Sequence, residues 1–263
     1  MSTQVSPTSE STTPPRARAD DEGEMTFTEH LAELRTRLIV SIVTVGVLSL
    51  IAFPLMPKLL VLLERYFIPG IQLHVFSPAE IIRVYIKLSL LVGVVVGFPI
   101  VLYEIYAFVA PALDQRLRAK VLWYAIPSLA MSLAGIAFCG LLVLPLVLRA
   151  LLNITQSSGL VGTYQLDPTI GFIVILLGIF AVMFQLPIVL ALLASVGIVN
   201  SRMLTDKWRH AMIVILILAG IGAPDGNPLT MLLLAAPLAG LYFLSIIVVR
   251  FTEPRLASQE NPA

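Results

Sequence analysis

Few side chains in this chain combine types and spacing that could do chemistry, and most of them stand at the edges of long uncharged stretches. Just before the first apolar run, His30-Leu-Ala-Glu33-Leu-Arg35-Thr-Arg37-Leu38 places Glu33 and Arg37 at i and i+4. On a helix that spacing forms an ion pair, worth a few tenths of a kcal/mol when solvated. His30 and Glu33 share the same face at i and i+3, but no further metal ligand stands near them. Glu104 follows an uncharged run, amid Tyr103, Tyr106 and Phe108. Those aromatics suit a membrane-interface belt, and equally a groove for a peptide. Gln185 sits near the middle of another uncharged run, in Phe184-Gln185-Leu186-Pro187. An amide in lipid needs a partner: a neighbouring helix of the same chain, or a helix of another protein.

Catalytic signatures are missing. The sequence has no His-Glu-x-x-His, no Gly-x-Ser-x-Gly and no phosphate-binding Gly-x-x-x-x-Gly-Lys-Ser/Thr. No pair of carboxylates falls inside an apolar run, which weakens a proton pump or an intramembrane aspartyl protease. The single cysteine, Cys139, excludes an intramolecular disulfide and a cysteine-based metal site. No catalytic residue, metal or cofactor is therefore expected.

The elements that must hold these residues follow from composition. The chain has 263 residues, 58% hydrophobic and 13% charged, with a mean hydropathy of +0.93. Soluble domains carry roughly 25% charged residues, so a water-facing surface cannot be coated. A net charge of +1 argues against nucleic-acid binding. Uncharged gaps mark six stretches, and lipid leaves helices as the form for runs of this length. The predicted fold is all-α, a polytopic membrane protein with six transmembrane helices at about 38–57, 83–105, 121–148, 168–196, 210–223 and 229–249. Residues 1–24 read as a disordered tail rich in Ser, Thr and Pro, residues 25–252 as the membrane domain, and 253–263 as a second tail.

Lys and Arg set the orientation. Arg35, Arg37, Arg116, Arg118, Lys120, Arg202, Lys207, Arg209, Arg250 and Arg255 fall on one side. Lys58, Arg65, Arg83, Lys87 and Arg149 fall on the other. Both termini are therefore placed in the cytoplasm, with the protein in the cell membrane. The first apolar run reads as an uncleaved anchor.

The fifth stretch, Ala211 to Ala223, makes only about 20 Å of helix at about 1.5 Å per residue, against a hydrocarbon core of about 30 Å. It reads either as half of an ordinary hairpin or as local thinning of the bilayer. Pro224-Asp225-Gly226-Asn227-Pro228 is the tight outer turn of that hairpin. Pro99, Pro127, Pro145, Pro187 and Pro237 lie inside helical runs, and such prolines kink helices into a concave wall. Leu59–Leu63, too short to span, reads as an interfacial helix on the outer side. Ser77 with Glu80 caps the second helix, and Asp167 with Pro168 caps the fourth.

Taken in order and spacing, these segments resemble the TatC family, the multi-spanning receptor subunits of the twin-arginine protein translocase. The likeness covers about residues 25–254. It rests on His30 to Leu38, on Phe98 to Leu113 with Ala107-Phe-Val-Ala-Pro-Ala-Leu113, and on the short last helices. The resemblance implies a protein that binds signal peptides bearing two consecutive arginines on folded cargo. It implies recruitment of TatA-like and TatB-like single-span partners, export driven by the proton-motive force, and a homo-oligomeric place in a larger complex. It implies no enzymatic reaction. A small-molecule secondary transporter is the alternative, but that class usually shows inverted repeats and none is visible.

By the same resemblance Glu33 takes the arginine pair, with Arg35 beside it, while Phe108 and Pro111 shape the facing loop. The family's second acid usually follows that proline by six positions, where this chain has Leu117; Asp114, about one helical turn earlier, or Glu104 stands as the substitute. Contacts to partner subunits fall to Gln185, Pro187 and Asp225. The family often has a glutamate where Gln185 stands, and a neutral amide can hydrogen bond there but cannot carry a proton.

Overall fold

Long apolar runs with their backbone polar groups satisfied internally can only be helices in lipid, and the helices of this protein follow those runs. The structure, a computed structural model, describes residues 27–69, 72–109, 115–157, 163–195, 197–223 and 226–252. The two expected tails, 1–24 and 253–263, lie outside the described residues.

Helix α1, Phe27–Ala52, passes through a 3-10 turn at Phe53–Leu55 into α2, Met56–Phe67. Pro54 and Pro57 sit in the first turns of these two short elements, where a missing N–H costs no hydrogen bond. The first helical run is thus longer than the predicted 38–57, because the expected interfacial helix continues it almost without a break. Helix α3 runs Pro78–Val109, α4 Gln115–Phe138, and α5 Leu144–Ser157. Then come α6, Leu166–Met183, α7, Leu186–Ser195, and the short α8, Ser201–Asp206. Helices α9, Trp208–Gly222, and α10, Pro228–Thr252, are the last of the described elements.

Five helical runs are long and apolar enough to cross a membrane by length and composition: His30–Phe67, Pro78–Ile105, Pro127–Asn153, Leu166–Ser195 and Pro228–Thr252. The stretch expected as the fifth span is shorter, since α9 has 15 residues, about 22 Å at about 1.5 Å each.

The prolines act locally in different ways. Pro99, Pro127 and Pro237 lie within continuous helices. Pro145 follows a π-helical turn, Cys139–Val143, in which Leu144 N–H donates to the Cys139 carbonyl. A proline ring clashes with the carbonyl four residues back, and a widened turn relieves that clash. Near Pro187 the helix is interrupted at Phe184-Gln185, so α6 and α7 are separate.

The core gathers around α6. Ile170, Ile173, Leu176 and Phe180 are buried among Val84 and Leu88 of α3 and Leu234 and Leu238 of α10. Helix α1 stands at the edge, and α3 is its main neighbour. Its apolar side chains Leu38, Ile42, Leu50 and Ile51 are exposed. The two helices approach closely at Gly93, where any Cβ would come within 2.7 Å of the Val45 carbonyl oxygen.

Just ahead of α3, a two-residue parallel ladder pairs β1, Leu73–His74, with β2, Tyr164–Gln165. Ser77 and Glu80 cap α3 much as expected: Ala79 N–H donates to Ser77 Oγ, and Glu80 Oε2 accepts from Phe76 N–H, both at 3.4 Å. The buried Glu80 also accepts from Gln165 Nε2 at 2.6 Å. Asp167 corrects the expectation that it caps a helix. It lies inside the first turn of α6, and its carboxylate accepts from Lys87 Nζ at 2.6 Å and Arg83 Nε at 3.0 Å. A carboxylate facing two cations on α3 gains more from them than from one backbone N–H.

Candidate functional site

The candidate site lies where the start of α1 meets the end of α3. Two glycines four residues apart, Gly93 and Gly97, present one face of α3 to Ser49 and Val45 of α1. Because the helices run in opposite directions, this contact sets the whole register. Seven residues beyond Gly97, on the same face, is Glu104; eight residues before Val45 is Arg37. Positions seven or eight apart lie on one side of a helix, so Arg37 faces Glu104, and further along His30 faces Phe108.

The contacts agree. Arg37 Nη1 donates to Glu104 Oε2 at 2.9 Å, and Arg37 Nη2 donates to Glu33 Oε1 at 3.2 Å. The His30 and Phe108 rings stack with centroids 4.3 Å apart and planes inclined by 19°. The three charged side chains are partly to largely sheltered, with 20% of Glu33, 31% of Arg37 and 11% of Glu104 exposed. Two carboxylates against one guanidinium leave one negative charge. Glu33 Oε2 is buried and has no hydrogen-bond partner among the described residues. Beside this cluster opens a hollow of about 350 Å³, lined by Ala32, Glu33, Thr36, Arg37, Val40 and Glu104. A sheltered anionic fork next to open space is chemically suited to a second cation with several N–H donors.

The structure brings together some of the residues singled out by sequence and separates others. Glu33 and Glu104 meet through Arg37. Phe108 stands one helical turn beyond Glu104 in α3, against His30, and does not line the hollow. Arg35 is exposed and also lies outside the lining. Pro111 and Asp114 fall outside the described residues, as does Asp225. Spacing alone gives Arg37 as a local partner of Glu33 and not of Glu104; the Gly93-x-x-x-Gly97 spacing is the signal that points to the second bond.

Gln185 lies away from this site, 4% exposed, at the break between α6 and α7. Its Nε2 donates to the Ser128 carbonyl at 2.9 Å and to Ser132 Oγ at 2.7 Å, both on α4. Its Oε1 is buried with no partner among the described residues. Pro187, two residues on, is buried as well. A second cavity of about 350 Å³ lies between α2 and helices α3, α4 and α6, lined by apolar side chains such as Leu63, Leu88, Val95 and Leu177. Tyr66 is its one polar side chain among the described residues and no charged side chain lines it, so it offers nothing to pair with a charged ligand. Among the described residues no group of three or more His, Cys, Asp or Glu side chains is placed to hold a metal ion.

Comparison with known proteins gives consistent matches. The family model described as Sec-independent protein translocase protein (TatC) matches residues 29–237. The chloroplastic Sec-independent protein translocase protein TATC of Arabidopsis thaliana is 32% identical over 241 residues, covering 91% of this chain and 70% of that protein. The Sec-independent protein translocase protein TatC of Aquifex aeolicus is 32% identical over 228 residues, covering 85% and 94%. Among solved structures, a crystal structure of the twin-arginine translocase receptor TatC superposes with a TM-score of 0.75 at 31% identity. That match covers 85% of this chain and 99% of the other.

Proposed function

Since this chain belongs to the TatC family of Sec-independent protein translocase proteins, a non-enzymatic transport family, we propose that it binds the twin-arginine signal peptides of folded proteins through the Glu33–Glu104 pair. The observation that carries this reading is the fork itself: two carboxylates from separate helices, already gripping one guanidinium, beside a hollow that Glu33 and Glu104 both line. A charge-assisted bond of this kind contributes about 1.5–3 kcal/mol. One peptide arginine meets Glu33, and the second finds Glu104 or the face of an aromatic ring. Glu104 takes the part of the second acid, whose usual place is held by Leu117.

The protein is a multi-pass membrane protein with five long apolar helical runs. In the proposed topology the short α9 is a sixth span, both termini face the cytoplasm, and the kinked helices form a concave wall in the cell membrane. The site then sits at the inner membrane edge, where a peptide arrives from the cytoplasm. TatA-like and TatB-like single-span proteins assemble on several copies of this chain, with Gln185, Pro187 and Asp225 at their contacts, and the proton-motive force drives passage. The competing reading, a small-molecule secondary transporter, has no inverted repeat behind it.

A photo-crosslinker placed at residue 33 in the membrane tests the proposal. It is expected to capture a twin-arginine signal peptide and to leave a twin-lysine peptide largely uncaptured. Equal capture of both overturns the charge-recognition role.

A further inference from the structure

The anionic fork is not empty. Arg37 bridges it, with the shorter bond to Glu104 at 2.9 Å and the longer to Glu33 at 3.2 Å. The fork thus already holds the functional group that its proposed ligand would bring. Resting on the peptide-binding reading above, we propose that Arg37 is a specificity-determining residue: as the resident guanidinium of the fork, it sets a threshold that an incoming arginine passes and an incoming lysine does not.

The geometry supplies the reason. Glu33 Oε2 is buried and has no donor among the described residues, so it is the acceptor that gains most once Arg37 moves aside and lets a cation in. The Glu33 bond is the longer of the two Arg37 contacts and is the one given up; Arg37 keeps Glu104 Oε2, and the peptide's second arginine takes the other Glu104 oxygen or an aromatic face. A guanidinium has five N–H donors in a flat fork and satisfies both oxygens of one carboxylate at once. It therefore replaces what Arg37 relinquishes and adds the missing donor. An ammonium is a compact point charge on a flexible stem, with no flat fork to match a carboxylate. It reaches Oε2 but does not make good the lost contact, and it pays the greater desolvation on entering. Discrimination of this kind comes from a built-in competitor as much as from attraction. Without Arg37, both cations meet two uncompensated carboxylates and the distinction narrows.

The test measures the dissociation constants of fluorescent twin-arginine and twin-lysine signal peptides for the full chain in lipid nanodiscs. Four forms are compared: wild type, Arg37→Gln, Arg37→Lys and Glu33→Gln. Arg37→Gln is expected to tighten twin-lysine binding about tenfold or more and twin-arginine binding less than threefold, so the preference collapses. Arg37→Lys, which keeps the charge but not the fork, is expected to lower the preference as well. An unchanged preference in a folded Arg37→Gln overturns the inference, and so does equal weakening of both peptides. If Arg37→Gln does not fold, a wild-type preference in Arg37→Lys overturns it. Glu33→Gln separates the two claims. If it leaves twin-arginine binding intact, the peptide-binding reading fails. If it abolishes binding while the Arg37 variants keep the wild-type preference, only the role of Arg37 fails.

Discussion

Arg37 and Glu104 lie 67 positions apart in the chain, and their side chains meet at 2.9 Å. This bond ties the first turns of α1 to the last turns of α3, and through the second Arg37 amino group it brings Glu33 into the same cluster. An i, i+4 pair on one helix surface is worth little. A three-member cluster across two helices at a hollow's rim is a different object, because each acid is oriented by a shared cation.

Glu33→Ala is expected to abolish export of a folded twin-arginine reporter while membrane insertion continues, since insertion follows from the apolar runs. Losing one charge-assisted bond of about 1.5–3 kcal/mol corresponds to roughly 10- to 150-fold weaker peptide binding. Reporter export and membrane fractionation in the same cells check this. Surviving export removes Glu33 from recognition.

Glu104→Gln removes the charge that faces Arg37 and leaves at most a neutral hydrogen bond between α3 and the cluster. Peptide binding is expected to weaken about tenfold or more, with little change in folding, because Glu104 is not part of the apolar cluster around α6. Titration of a labelled peptide beside a thermal melt in detergent separates the two effects. Wild-type affinity in this variant returns the part of second acid to another residue.

Gly93→Leu is expected to fail more severely than either acid substitution. Even the first added carbon would stand 2.7 Å from the Val45 carbonyl oxygen, so α1 must move away from α3. Overpacking typically costs about 1–3 kcal/mol, and here the displacement also pulls Arg37 from Glu104. A bifunctional thiol cross-linker between cysteines introduced at 37 and 104 should join α1 to α3 readily in the parent and poorly in the variant. Equal trapping shows that the register has another source.

Gln185→Ala removes two hydrogen bonds to α4. Interhelical bonds in membranes contribute about 0.6 kcal/mol on average and about 1.7 at most, so the subunit should remain folded. Association with single-span partners is expected to fall more than peptide binding, read by co-purification alongside photo-crosslinking. Undiminished co-purification confines Gln185 to holding α6 and α7 against α4.

Much of the fold was legible because its cause is local. Long uncharged runs become helices wherever water is absent, and Ser77 with Glu80 starts α3 because capping depends on neighbours a few positions away. Asp167 shows where that reasoning stops. Its sequence context, Asp-Pro, reads as a cap, yet its carboxylate is held by Arg83 and Lys87, some 80 positions away. No local pattern reports a cation on another helix.

From the order of residues alone came the helical, membrane-spanning character, the family resemblance and the acids at the ends of apolar runs. Tertiary structure alone decided which of those acids meet and what already lies between them. The physical reason is the helix-to-helix register. Periodicity determines which face a residue occupies on its own helix, but only the close approach of α1 to Gly93 and Gly97 sets Arg37 opposite Glu104 rather than a turn above or below it.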